Sequence, residues 1–89
     1  DVEDNEEVLA WSVYPNPVLG EQLNIYFGNS LSAEFTLIDL NGRALENKSL
    51  NRTTVKEPFR IFLQGVKPGF YVIQMQDGAL IKQSKLIRE

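Results

Sequence analysis

The stretch FTLIDLNGRALENKSL, residues 35–50, decides the fold class. Phe35 and Leu37 share one side of an extended run, which leads through Asp39 to Asn41-Gly42. A second run then extends from Arg43 to Leu50. Asn-Gly between two strand-like runs is the strongest short-range hairpin signal, because both residues tolerate the positive φ of a type I′ turn. A two-residue loop pairs Leu40 with Arg43 and Ile38 with Leu45. Ile38 and Leu40 are apolar as well, so the alternation leaves the inward face of this hairpin open.

The same punctuation continues on both sides. Upstream, Gln22–Phe27 sets Leu23, Ile25 and Phe27 against Gln22, Asn24 and Tyr26, the mark of a half-buried strand. Gly28-Asn29-Ser30 ends it. Before it, Trp11–Tyr14 runs into Pro15-Asn16-Pro17, where missing N–H groups stop a ladder. Each proline also biases the residue ahead of it toward extended backbone. Downstream, residues 51–58 are polar and end in Pro58, so they read as a loop. Phe59–Leu63 follows, then a turn at Gly65–Gly69. In Phe70–Gln76, Tyr71, Ile73 and Met75 point inward. Asp77-Gly78 marks a second hairpin. Ala79–Ile87 then sets Lys82, Ser84 and Leu86 against Ile81, Lys85 and Ile87. About seven short strands with turn signals roughly every ten residues predict an all-β fold, an immunoglobulin-like β-sandwich of antiparallel strands without the Cys–Trp–Cys core of antibody domains. A small barrel is the alternative.

Eighty-nine residues make one domain. A chain of this size buries about 60–65% of its unfolded surface, so its stability margin is thin. The hydrophobic share, 43%, supplies one core. With no cysteine there is no disulfide framework and no thiolate metal site. With no histidine the commonest general base, zinc ligand and pH switch are all missing. The net charge of −3 hides an asymmetry: five acids and no base fall in the first seven residues, while residues 8–89 carry a net of +2. That is not the basic footprint of a nucleic-acid binder. The N-terminus is acidic and lacks the apolar stretch of a signal peptide. No run approaches the ~18 apolar residues of a membrane span. Residues 1–10, DVEDNEEVLA, read as an acidic flexible linker, with a first helical turn as the alternative, and 11–89 as the folded domain. The expectation is a piece of a longer polypeptide.

Catalytic chemistry finds little to work with, and the reading is of a protein that is not an enzyme and takes no cofactor or metal. No serine has a histidine base or sits in a Gly-x-Ser-x-Gly elbow. Ser84 and Lys85 are strand neighbours and face opposite sides. The acids outside the leading stretch look solvated, and Asp39 is placed to bond the backbone of its own turn. Asp1, Glu3 and Asn5 alternate but lack the glycine and closing glutamate of a calcium loop. Tyr26, Phe62 and Phe70 fall opposite the inward series on their strands. They leave an adhesive or carbohydrate-binding module as a second functional reading.

Three ordered motifs carry more. Val13-Tyr14-Pro15-Asn16-Pro17 precedes the strand at Leu23-Asn24-Ile25. Phe35–Leu40 leads into Asn41-Gly42-Arg43. Leu63 leads through Pro68-Gly69-Phe70-Tyr71 and Asp77-Gly78 to Lys85-Leu86-Ile87-Arg88. This pattern resembles the type A C-terminal sorting domain of the type IX (Por) secretion system of Bacteroidetes. That family shows a Tyr-Pro-Asn-Pro start, a middle strand ending Asp-x-x-Gly-Arg/Lys, a Pro-Gly-x-Tyr block and a lysine-containing terminal strand. It often ends in lysine, where Arg88-Glu89 stands here. The resemblance implies a secretion signal on a larger cargo that has crossed the inner membrane by a separate signal. Its partners are the cargo's own N-terminal part, the outer-membrane translocon and a sortase-like peptidase that removes the domain, with the cargo attached at the cell surface. It implies recognition through Tyr14, Pro15, Asn16, Pro17, Asp39, Gly42, Arg43, Pro68, Gly69, Tyr71, Lys85, Leu86, Ile87 and Arg88. Elementary physics adds three expectations. Pro15 and Pro17 pre-order their segment. The final strand offers an open edge to a receptor, with Lys82, Lys85 and Arg88 supplying charge. The acidic leader is accessible for cleavage. A homodimer swapping the Trp11–Tyr14 strand is a further possibility raised by the proline corner.

Overall fold

Why alternating runs become a sandwich is visible in their burial. A computed structural model of the chain describes residues 11–89. Seven strands follow in order: β1 (Ser12–Tyr14), β2 (Gln22–Tyr26), β3 (Ser32–Ile38), β4 (Ala44–Asn51), β5 (Phe59–Phe62), β6 (Gly69–Asp77) and β7 (Leu80–Arg88). They form two antiparallel sheets, β1-β2-β5 and β4-β3-β6-β7. Every second side chain of β2 and β5 is buried, and so are Phe35 and Leu37 of β3, Ile73 and Met75 of β6 and Leu86 of β7. One apolar face per sheet meets the other in a single core, the solution open to two half-buried sheets. The predicted immunoglobulin-like sandwich is the observed fold. β4 lies beside β3, enlarging the second sheet. The acidic stretch 1–10, read as a linker, lies outside the described residues.

The first hairpin differs from its predicted turn. Ile38 pairs with Ala44 and Leu37 with Glu46, which leaves Leu45 as the extra residue of a bulge. The expected pairs Leu40 with Arg43 and Ile38 with Leu45 do not form. Instead the Asp39 N–H donates to the Arg43 carbonyl at 2.9 Å and the Gly42 N–H to the Asp39 carbonyl at 3.0 Å. In this turn only Gly42, with φ +86°, takes the left-handed conformation, since among the described residues no non-glycine has positive φ. The result is a three-residue loop built on a type I turn. Asp39 is the cause: its Oδ1 accepts the N–H groups of both Asn41 and Arg43 at 2.9 Å, the preference of aspartate at the first position of such a turn. The second hairpin closes between Asp77 and Leu80. Gly78 there has φ +62° at the first central position, as a II′ turn requires.

The smaller sheet leaves the margins of the larger one partly uncovered. On β4, Glu46 and Lys48 share the inward face with Leu50, their charges 3.8 Å apart, and on β7 Lys82 and Ser84 share it with Leu86. Inward-pointing charge at an edge strand discourages pairing with other chains.

Arg52, in the loop after β4, is 7% exposed. Its guanidinium donates to the carbonyls of Ser30, Glu57, Gly28 and Phe27 at 2.7–3.2 Å and lies 4.5 Å from the centre of the Phe59 ring. Burial pushes it below its ordinary basicity, opposed by Tyr26 and Glu57. One side chain thus ties two loops to the core by satisfying carbonyls that would otherwise be unpaired.

Candidate recognition site

Pro15 and Pro17 cannot donate to a ladder, so the segment they flank needs another way to join a sheet. Asn16 provides it. Its side-chain Nδ2 donates to the Lys85 carbonyl at 2.9 Å, and its Oδ1 accepts the Ile87 N–H at 3.0 Å. A primary amide carries the donor and acceptor of a peptide group, so Asn16 acts as a rung against β7. Two residues on, the main chain takes over. The Val18 N–H donates to the Ile87 carbonyl at 2.8 Å, and the Glu89 N–H to the Val18 carbonyl at 2.9 Å. Val18 forms a parallel bridge with Arg88 and is fully buried.

This closes the expected open edge from Lys85 onward, though not along the rest of β7. The outward backbone groups of Ile87, the carbonyl of Lys85 and the N–H of Glu89 are occupied by residues 16–18. Arg88 is half-buried, with its guanidinium turned to backbone. Its Nε donates to the Val66 carbonyl at 2.9 Å and its Nη1 to the Gly20 carbonyl. Lys82 is half-buried and lines a groove of about 400 Å³ with Trp11, Phe27 and Leu80. Lys85 alone of the three cations stands exposed. Among the described residues, the backbone facing outward from Ile81 and Gln83 has no partner.

The Pro68-Gly69-Phe70-Tyr71 block is a corner. The Tyr71 hydroxyl donates to the Lys67 carbonyl at 2.6 Å, four residues upstream. A tyrosine near the start of the sixth strand bonding back to its own approach is a device of immunoglobulin-like sandwiches. Gly69, with φ +154°, takes a backbone conformation that a side chain would strain, directly against the Tyr71 ring. Tyr71 pairs with Leu86, Phe70 with Ile87 and Gly69 with Arg88, so the corner is bonded to the strand that Asn16 holds.

Asp39 and Arg43 stand at the same end of the larger sheet, because Ile38 pairs with Val72 and Val72 with Lys85. The backbone N–H of Arg43 holds the Asp39 carboxyl below its usual range, partly opposed by desolvation and helped by the Asn41 N–H. The Arg43 guanidinium lies 3.3 Å from the same carboxylate. Tyr14 belongs to the other sheet, pairs with Asn24 and stacks on Tyr26 with ring centres 6.0 Å apart. Desolvation raises its hydroxyl pKa, reinforced by the neighbouring Tyr26 hydroxyl. The structure therefore gathers Asn16, Asp39, Gly42, Arg43, Gly69 and Tyr71 with Lys85–Arg88 at one end, and leaves Tyr14 on the smaller sheet.

The aromatic residues of the carbohydrate reading do not form one platform. Phe62 (57% exposed) and Phe70 (62%) point outward from opposite sheets. Tyr26 is half-buried, with its hydroxyl donating to the Lys56 carbonyl. Among the described residues no group of carboxylates is placed to hold a metal ion. Val18 and Arg52 were not singled out in the sequence. An apolar residue just past the prolines was a faint sign of the first, while nothing local marks the second.

No curated protein is similar enough to this chain to count as a match. A family model does match: the ordered motifs and the sandwich that assembles them coincide with the secretion system C-terminal sorting domain over residues 12–89, and the chain belongs to that family, whose members are sorting signals of the type IX secretion system rather than enzymes.

Proposed function

We infer that this chain, a type IX secretion signal, sends an attached cargo to the cell surface or beyond. We propose that the feature read by the outer-membrane translocon is the folded end of the larger sheet, presented in the periplasm after the cargo has crossed the inner membrane by its own signal. The observation that supports this is the pair of Asn16 rungs on Lys85 and Ile87, which join the first and last motifs into one object. On this reading the motif residues divide by task. Pro15, Asn16, Pro17, Asp39, Gly42, Pro68, Gly69, Tyr71, Leu86 and Arg88 build the end. Arg43, Lys85 and Ile87 face a partner, and Tyr14 braces the smaller sheet. The domain itself catalyses nothing; a sortase-like peptidase cuts within or before residues 1–10 and leaves the cargo at the surface. β1, held by three rungs to β2, is the strand that would exchange in a swapped homodimer, which light scattering at several concentrations would reveal.

The test is a transplant. Residues 11–89 are fused to a periplasmic reporter in a type IX-competent cell. Reporter at the surface or in the medium is the expected result, and reporter retained in the periplasm overturns the reading.

A further inference from the structure

The outer face of the larger sheet is divided across its strands. Toward one end its side chains satisfy one another: Asn47 Nδ2 donates to Thr36 Oγ1 at 2.9 Å, and Gln83 Nε2 to Gln74 Oε1 at 2.7 Å. The next outward row, toward the end where the motifs meet, is Ile38, Val72 and Lys85, and Phe70 and Ile87 pair beyond it. Their neighbours Leu37, Ile73 and Leu86 are the ones that enter the core. Phe70 is 62% exposed, and among the described residues nothing covers it. The corner explains Gly69 and Tyr71 but asks nothing of residue 70. An exposed aromatic ring on a central strand, adjoining other apolar side chains, has no role in the packing described above.

We propose that the strip Ile38–Val72–Phe70–Ile87 is the docking face of the signal, and that its occupant is a protein surface presenting an apolar ridge bordered by carboxylates. This rests on the sorting-signal reading. Charge selects the occupant. Lys85 is exposed within the strip and forms no ion pair among the described residues, while Arg43 stands at the margin with 76% of its side chain exposed. Of the acids at this end, Asp39 is already committed to its turn and to Arg43, and Glu89 lies past the strip, two residues beyond Ile87. A second copy packed face to face would bring these cations toward one another. Four side chains also fall far short of the ~800 Å² per partner of a stable dimer and suit a transient encounter. The residues that Asn16 holds, Lys85 and Ile87, are the β7 members of the strip.

The experiment uses the full cargo with its own domain. Phe70→Ser is compared with Phe62→Ser, a similarly exposed ring on the opposite sheet. Export falls by about tenfold or more for Phe70→Ser, as for an aromatic anchor, and stays within about twofold for Phe62→Ser. The thermal midpoints of the two variants stay close to each other. Phe70→Leu restores most export, and Lys85→Glu lowers it more than Lys85→Gln. If the unaltered cargo is not exported, the sorting reading itself fails. If it is exported and Phe70→Ser matches it, the docking face alone is overturned. Two further measurements distinguish other occupants. Phe70-dependent sedimentation with phosphatidylglycerol–phosphatidylethanolamine vesicles, with export unchanged, assigns the strip to a lipid surface. A Phe70-dependent dimer in light scattering assigns it to a second copy. Either result overturns the proposal.

Discussion

Strand β7 has two halves that share a partner and differ at their outer edge. Both pair with β6 along every rung from Leu80 to Arg88. From Leu80 to Ser84 the outer edge meets no strand, and Lys82 turns inward into a groove. From Lys85 onward the edge is closed by one side-chain amide and one residue of main chain. The difference teaches how little is needed to finish a sheet edge. Two prolines forbid an ordinary strand, yet one asparagine and one valine close the edge. The closed half is therefore fixed in shape, while the open half is defended by charge.

The largest expected effect is on the closed half. Leu86→Ala removes a fully buried side chain and should cost about 2–5 kcal/mol, whereas Gln83→Ala on the open half should stay within about 0.5 kcal/mol. Thermal unfolding measures both, and equal losses would erase the distinction. Asn16→Ala should cost about 1–2 kcal/mol by stripping rungs from the Lys85 carbonyl and the Ile87 N–H. Hydrogen exchange at the Ile87 amide should then rise toward the rate at Gln83, and an unchanged rate would show that Val18 suffices alone. Tyr71→Phe should cost about 1 kcal/mol through the lost bond to Lys67, loosening β6 behind the closed half. The smallest effect concerns acid. The Asp39 carboxyl is depressed in the folded chain, so its contribution is present above the unfolded aspartate pKa of about 3.9 and is lost as pH falls through the lower folded value. Acid should therefore loosen the 39–43 turn without disturbing the Asn16 rungs, and amide shifts followed below pH 4 (roughly the carboxylate range) test that order.

The strands were legible because alternation is local: Leu23, Ile25 and Phe27 announce their burial three times within five positions. The type of the first turn was not, because Asn41-Gly42 argues for two residues while the Asp39 carboxylate imposes three. The closed half of β7 was invisible for a different reason. Asn16 and Lys85 lie 69 positions apart, and nothing near either names the other. Arg52 was hidden likewise, since its partners are carbonyls brought in by the fold. For the site, the motifs supplied the candidate residues, but only the assembled sheets separate those packed into the end from those left facing outward.

The reach of Asn16 also sets a condition in time. The rungs at Lys85 and Ile87 span 69 and 71 positions, so they cannot exist while the chain between them is still threading through an upstream channel. A half-delivered domain carries every letter of its first motif and none of the finished surface. On the proposed reading, a receptor that engages the finished end tests arrival as well as identity.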